Sequence, residues 1–282
     1  MTAVSLATAA TLEDPDGPLL TAALADLGIE ATEVPWDDPT AEWAAFDATI
    51  IRSTWDYPSA HEEFCAWARS VPNLHNPAEV VVWNADKRYL DDLVRLGVPV
   101  IPTTYAASGD EARLPSGDVV VKPVVAGGSR GAARFAAAED AAARAHVDTI
   151  AALGLVAMVQ PHVASVDDHG EVDVVVIDGE VSHAVRKRAP IGLSATDGPS
   201  GPVGVDAVTP DAAELAVVRA ALDAVPCAAP LCYARVDLVA TADGPVVIEL
   251  ELIEPFLFLT EADGAAERVA RAIARRATRS PG

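Results

Sequence analysis

Short apolar runs alternate with helical segments through the first 84 residues, and this alternation limits the fold more than any other feature of the chain. Residues 4–10, 29–34 and 48–52 read as buried strands. Asp16-Gly17-Pro18 opens a helix that Gly28 stops, a shorter helix lies near residues 41–46, and Pro58 starts another that ends near Val71. Proline suits the first turn of a helix and glycine its end, which sets these limits. Strands separated by helices pair in parallel, with the helices covering the sheet. The pattern predicts an α/β fold, with a Rossmann-like domain over residues 1–84.

The rest of the chain changes character. Residues 86–96 read as a helix stopped by Gly97, and residues 98–102 as a strand. A β-branched run at 118–125 enters the loop Ala126-Gly127-Gly128-Ser129-Arg130-Gly131. A helix at 138–153 and a strand at 155–160 complete an α+β unit over residues 85–163. In the last unit, residues 164–282, Asp178-Gly179 joins two strand-like runs as a hairpin, residues 199–202 form a polar Gly-rich loop, and a helix spans 210–225. A second hairpin follows at 233–252 around Ala242-Asp243-Gly244-Pro245, and a helix over 261–276 closes the chain.

The second hairpin carries the sharpest chemical signal. Side chains alternate along a strand, so Arg235 and Asp237 share a face, as do Glu249 and Glu251. With the turn centred on Asp243, Asp237 opposes Glu249 and Arg235 opposes Glu251, with Cβ atoms about 5 Å apart. Like charges placed so are destabilising unless a cation joins them, and Mg2+ prefers oxygen ligands of this kind. The same spacing also fits a solvated edge with an ordinary Arg235–Glu251 ion pair. Lys122 ends a Val-rich strand beside the glycine loop, where it would suit phosphate or simply lie at the surface. Lys87, in Asp86-Lys87-Arg88, has the same two readings. Gly127, Gly128 and Gly131 free the backbone to approach an anion, although the spacing matches neither a Walker A loop nor a dinucleotide fingerprint. His61, His75, His146 and His169 are scattered and show no metal spacing.

A formal net charge of -22 argues against nucleic acid and anionic membranes, and no apolar run reaches the roughly 18 residues of a spanning helix. Cys65, Cys227 and Cys232 are too few and too oddly spaced for a disulfide framework or a zinc site, and the first residues lack a basic segment. These features predict a cytoplasmic protein whose partner is a small molecule, and they leave a homodimer open.

In chain order, Asn84-Ala85-Asp86-Lys87, Val121-Lys122-Pro123 with its glycine loop, Val159-Gln160-Pro161-His162-Val163, Arg235-Val236-Asp237 and Glu249-Leu250-Glu251 resemble the ATP-grasp ligases. Arg52-Ser53-Thr54-Trp55-Asp56-Tyr57 and the run 249–255 are similar to an actinobacterial branch that includes cycloserine synthetases, the O-ureido-D-serine cyclo-ligases. The resemblance implies a pre-ATP-grasp domain followed by an ATP-grasp module of two α+β subdomains, and a ligase using ATP and Mg2+. Such an enzyme phosphorylates a small, amino-acid-like carboxylate for attack by an amine or other nucleophile.

By the resemblance, Lys87, Lys122, Gly127, Gly128 and Ser129 would meet the nucleotide phosphates. Gln160, with the backbone of His162 and Val163, would receive adenine. Asp237, Glu249 and Glu251 would hold Mg2+, and Arg235 and Lys187 would face the transferred phosphate or the substrate. Three departures stand out. The last metal ligand of the family is usually Asn, here Glu251. The ribose acid falls on Ser165, so Asp167 or Asp168 would replace it. Residues 190–205 lack the family's basic, glycine-paired loop. Arg52 and Asp56, beyond a strand end of the first domain, are expected to bind the acceptor. An intramolecular cyclo-ligase and a silent nucleotide-binding regulator are the two alternatives to an intermolecular ligase.

Overall fold

The computed structural model describes residues 2–188 and 204–278. The first unit runs β1 (Thr2–Thr8), α1 (Gly17–Asp26), β2 (Ile29–Pro35), β3 (Ala48–Ile51), α2 (His61–Ser70), β4 (Leu74–His75), α3 (Ala78–Asn84) and α4 (Tyr89–Arg95). Its sheet is parallel, in the order β2-β1-β3-β4, as the alternation requires. The second unit contains β5 (Thr104–Ala106), β6 (Val119–Pro123), β7 (Ala133–Phe135), α5 (Asp140–Ala152) and β8 (Ala157–Pro161), and its antiparallel sheet has the order β5-β8-β6-β7. The third comprises α6 (Ser165–His169), β9 (Glu171–Ile177), β10 (Glu180–Arg188), β11 (Gly204–Val208), α7 (Ala212–Asp223), β12 (Tyr233–Thr241), β13 (Gly244–Glu251) and α8 (Ala265–Ala277). Its antiparallel sheet is ordered β11-β10-β9-β12-β13.

Several local expectations change. Residues 98–102 form no strand. Val100 makes one isolated bridge to Val247, which receives a hydrogen bond from Ile101 and donates one to Pro99. The helix expected near 41–46 is a single 3-10 turn, Trp43–Ala45. The helix α3 was hidden in Val80-Val81-Val82, a run that favours strands. Val80 and Val81 are fully buried, and that packing overrides the preference. The short strands β4 and β7 have too few residues to show a period. The Gly-rich loop expected at 199–202 lies outside the described residues.

Packing joins the first and third units. Val4, Leu6, Leu20 and Ile50 share one cluster with Val269 and Ile273 of α8, so the last helix closes over the first sheet. The central unit keeps a separate core of Val119, Val121, Val147, Ile150 and Val159. An element with its own core can shift as a body while its neighbours stay fixed. Among the described residues, no helix is long and apolar enough to cross a membrane. Cys65 and Cys232 are buried, and all three cysteines are free.

Candidate active site

The β12–β13 hairpin sets the floor of the site. Its turn is one half-step tighter than expected, because Thr241 pairs with Gly244. A β-bulge then shifts the register between Asp237 and Leu238, and beyond it Asp237 opposes Glu249 and Arg235 opposes Glu251. Bulges often re-aim side chains beside functional sites. Here the bulge restores the pairing that puts these four residues on one face.

The hairpin faces a cavity of about 600 Å³ between the second and third sheets, closed at one end by the first unit. Lys87, Lys122, Gly127, Gly128, Ser129, Gln160, His162, Val163, Lys187, Arg235, Asp237, Glu249 and Glu251 all line it. Arg235 forks between two carboxylates, with Nε 2.7 Å from Asp237 Oδ1 and Nη2 2.6 Å from Glu251 Oε1. It also stands 5.7 Å over the Phe258 ring and donates to the Phe256 carbonyl. Lys87 Nζ lies 3.1 Å from Glu249 and donates to the Ala126 carbonyl, which ties the glycine loop to the hairpin. Lys122 stands 3.9 Å from Glu249.

Lys187 answers a carboxylate group that sequence reading missed. Glu171 and Asp173 lie on β9, and Asp173 pairs directly with Asp237. One oxygen from each of Glu171, Asp173 and Asp237 lies within 4.8 Å of the others. The Lys187 ammonium sits among them, 3.0 Å from Glu171, 3.0 Å from Asp173 and 3.8 Å from Asp237. The signal available was an aspartate inside the apolar run Val172-Asp173-Val174-Val175, since a buried carboxylate needs a partner.

The donor set fits a hard divalent cation. Both Asp173 oxygens are buried and make no well-aligned hydrogen bond, although Lys187 and Arg235 stand 3.0 and 3.6 Å from Oδ2. Lys187 stands among the Glu171, Asp173 and Asp237 oxygens, and Glu171, Asp237, Glu249 and Glu251 all line the cavity.

Electrostatics agree with crowding of like charge. Burial and the Asp237 charge push Asp173 up to about 7. Burial, opposed by Arg235 but reinforced by Asp237 and Glu249, leaves Glu251 at about 7. Burial and Glu251 push Glu254 up to about 8. Glu249 is also buried, but Lys87 and Lys122 outweigh that and bring it down to about 2. Burial and the Lys87 charge lower Lys122.

A pH dependence follows. In the unfolded chain Asp173, Glu251 and Glu254 would be ordinary acids, ionised by about pH 5. The folded protein keeps their protons up to 7 or 8, so it binds more protons than the unfolded chain, and stability falls as pH rises through that window. His75, lowered to about 4 by burial, acts oppositely, but only below the ordinary histidine range. We expect the thermal midpoint of the ligand-free protein to drop between about pH 7 and about pH 8.5. A midpoint that climbed across that interval would contradict the charge assignment.

Four expected site residues stand differently in the structure: Arg52, Asp56, His162 and Asp167. Arg52 does not line the cavity. It is 2% exposed and bound by Asp14 (3.0 Å) and Asp16 (3.9 Å), and it donates to the Pro255 carbonyl. Asp56 accepts from Trp36 Nε1 and likewise lies off the cavity wall. Both residues brace the loops around the site. At the adenine end, the His162 amide already donates to the Asp118 carbonyl at 2.8 Å, because β8 continues against the start of β6. Asp167 is engaged by Arg134 (3.0 Å) and by the His162 ring (2.9 Å), and it does not line the cavity. The segment 190–205 lies outside the described residues up to residue 203.

The loop after β13 is held from the first unit as well as from its own, where Tyr233, His183 and Arg235 bond the Ile253, Leu257 and Phe256 carbonyls. Asp16 accepts from the Leu257 and Leu259 amides at 2.9 and 3.0 Å, on either side of Phe258, which has a φ of 50°. Trp55 Nε1 donates to the Glu254 carbonyl, and Asn84 and Tyr89 bond the backbone of Leu250 and Leu252. From the glycine loop, Arg130 donates to the Trp55 carbonyl.

Residues 4–76 match the family described as D-cycloserine synthetase DcsG, N-terminal domain. The chain is 38% identical to the cycloserine biosynthesis protein DcsG of Streptomyces lavendulae over 287 residues, covering 93% of this chain and 94% of that one. The crystal structure of D-cycloserine synthetase DcsG superposes with a TM-score of 0.86 at 37% identity, covering 98% of this chain and 100% of that one. The fold is also that of a RimK domain ATP-grasp protein from Sphaerobacter thermophilus (TM-score 0.67, 22% identity, 98% and 99% covered). It is shared with D-alanine–D-alanine ligase from Bacillus anthracis, complexed with ATP (0.70, 13%, 98% and 97%).

Proposed function

Because this chain belongs to the ATP-grasp ligases, in the branch of D-cycloserine synthetase DcsG, we propose that its cavity binds ATP and Mg2+ and phosphorylates the carboxylate of a small amino-acid-like substrate. The enzyme is an ADP-forming ligase. The observation that carries the site assignment is the bulged hairpin, which gathers Arg235, Asp237, Glu249 and Glu251 on one cavity face.

In this reading Lys87 and Lys122 meet the phosphates from one wall, and the amides of Gly127, Gly128 and Ser129 cover them from above. The adenine lies against Gln160 and takes the Val163 amide and the His162 carbonyl, since the His162 amide is already spent on Asp118. Asp237, Glu249 and Glu251 would hold Mg2+, which supplies charge neutralisation on the phosphate oxygens. Arg235 and Lys187 flank the path between nucleotide and substrate. Their fixed charges are aimed where negative charge develops on the transferred phosphoryl group, and little reorganisation is then needed.

The likeness to DcsG over nearly the whole chain favours one second reading, an intramolecular cyclo-ligase in which the nucleophile belongs to the activated substrate itself. A regulator that only bound ATP would have no use for four cavity carboxylates arranged around Arg235 and Lys187.

The test is phosphate release from ATP across a panel of amino acids and their derivatives. We expect slow turnover with ATP alone and strong stimulation by the right acid. Glu249→Gln should reduce the stimulated rate to background while the melting curve stays cooperative. Near-normal turnover in that variant would remove Glu249 from the metal site.

A further inference from the structure

Asp173 is a costly residue that its strand does not need. It lies in β9, the middle strand of the third sheet, within the run Val172-Asp173-Val174-Val175-Val176, and it is completely inaccessible. Its valine neighbours already fill the core on both sides, Val172, Val174 and Val176 in one cluster and Val175 in another. Asp173 stands directly across from Asp237 on β12, and like charges so placed destabilise a sheet. Neither of its oxygens has a well-aligned hydrogen bond, which makes burial of the carboxylate more expensive still. A group retained at such a cost to stability points to a demand from function.

Its neighbours of opposite charge are two cations. The strands β10 and β12 flank β9 and bring one each, Lys187 Nζ at 3.0 Å and Arg235 Nε at 3.6 Å, both from Asp173 Oδ2. Arg235 has other anchors. It forks between Asp237 and Glu251, donates to the Phe256 carbonyl and leans on Phe258. Lys187 ends a flexible four-carbon stem, and among the described residues its ion-pair partners are Asp173, Glu171 at 3.0 Å and Asp237 at 3.8 Å. Of these, Asp237 is assigned to Mg2+, and Glu171 begins β9 on a longer, partly exposed side chain. Asp173 is the short and fully enclosed one, and β9 is paired on both sides of it.

We propose that Asp173 is a positioning residue for phosphoryl transfer, which acts by holding the Lys187 ammonium at the phosphate end of the cavity. A lysine ordered only during the reaction would lose part of its effect to side-chain entropy, whereas one already held by a fixed carboxylate does not. Asp173 does not line the cavity, so it acts through Lys187 and not by touching the nucleotide or the acceptor. This rests on the reading of the cavity as a ligase site and adds the residue that orders one of its two transfer cations.

The test is Asp173→Asn, which keeps the shape and removes the charge. Substrate-stimulated kcat should fall about 10- to 100-fold, the range of one charge-assisted hydrogen bond, while calorimetric ATP affinity stays within about threefold. The thermal midpoint should hold or rise, because repulsion from Asp237 is removed. A merely structural residue would show the reverse, a lower midpoint with nearly normal kcat beneath it. Lys187→Gln and the double variant complete a cycle, in which the double variant should lose no more rate than Lys187→Gln alone. The Asp173→Asn comparison stands by itself if Lys187→Gln does not fold. An unchanged kcat or a lowered midpoint in Asp173→Asn, ATP affinity lost in step with rate, or losses that multiply in the double variant would each overturn the proposal. A wild type that bound ATP but released phosphate with no compound would overturn the ligase reading, and this proposal with it.

Discussion

Arg235→Ala is expected to lower substrate-stimulated phosphate release by about 100- to 1,000-fold, the usual cost of one preorganised charge donor, while ATP affinity changes only a few-fold. The reason is where the guanidinium sits. It bridges Asp237 and Glu251, leans on Phe258 and is 5% exposed, so its position is fixed before any ligand arrives. Charge held in place favours the developing transition state more than the ground state, and such an interaction appears in kcat. Arg235→Lys should lose nearly as much, because an ammonium cannot fork between two carboxylates. The comparison to make is calorimetric ATP affinity against stimulated kcat for both variants. If both variants lost affinity and rate in equal proportion, Arg235 would be a binding residue only.

The second large effect concerns stability. Arg52→Ala should cost about 3–5 kcal/mol, because it leaves Asp14 and Asp16 buried without their cation. At about 2–4 °C per kcal/mol for chains of this size, the thermal midpoint should fall by roughly 10 °C. The two aspartates are nearly inaccessible, and burial already raises Asp16. Asp16 also clamps the backbone on both sides of Phe258, so the loss should loosen the loop that carries Glu254. Replacing Arg52, Asp14 and Asp16 together by Met, Asn and Asn should recover part of the stability, since no bare charge then remains. An unchanged midpoint with a raised substrate KM in Arg52→Ala would instead make Arg52 a direct contact of the acceptor.

The strength of the sequence lay where a residue's neighbours along the chain decide its fate. The alternation in residues 1–84 required a parallel sheet, and the sheet is parallel in the order β2-β1-β3-β4. The period of two along residues 235–237 and 249–251 put four charged side chains on one face, and the pairing of Asp237 with Glu249 and of Arg235 with Glu251 is the expected one. That pairing arises from a tighter turn and a compensating bulge, neither of which the period could reveal. The apolar run at 80–82 carried no helical signal, and it forms a helix whose Val80 and Val81 are fully buried.

What the chain could not disclose by itself is where long-range contacts decide a partner. The expectation for Arg52 came from its place beyond a strand end, but a loop more than 200 residues away, at Pro255, encloses it. Lys187 and Asp237 were legible as charged positions; that Lys187 is held by Glu171 and Asp173 depends on β9 lying between β10 and β12. Glu254 looks no different in sequence from Glu249 and Glu251. It differs because Lys87 and Lys122 reach Glu249 from other units and Arg235 reaches Glu251 from the neighbouring strand, and among the described residues none pairs with Glu254. Local periodicity determines which face a side chain occupies. Whether a charge on that face meets a counter-charge is settled only when distant strands and loops close around it, because the energy of a buried charge depends on every neighbour within a few ångströms, regardless of its distance in sequence.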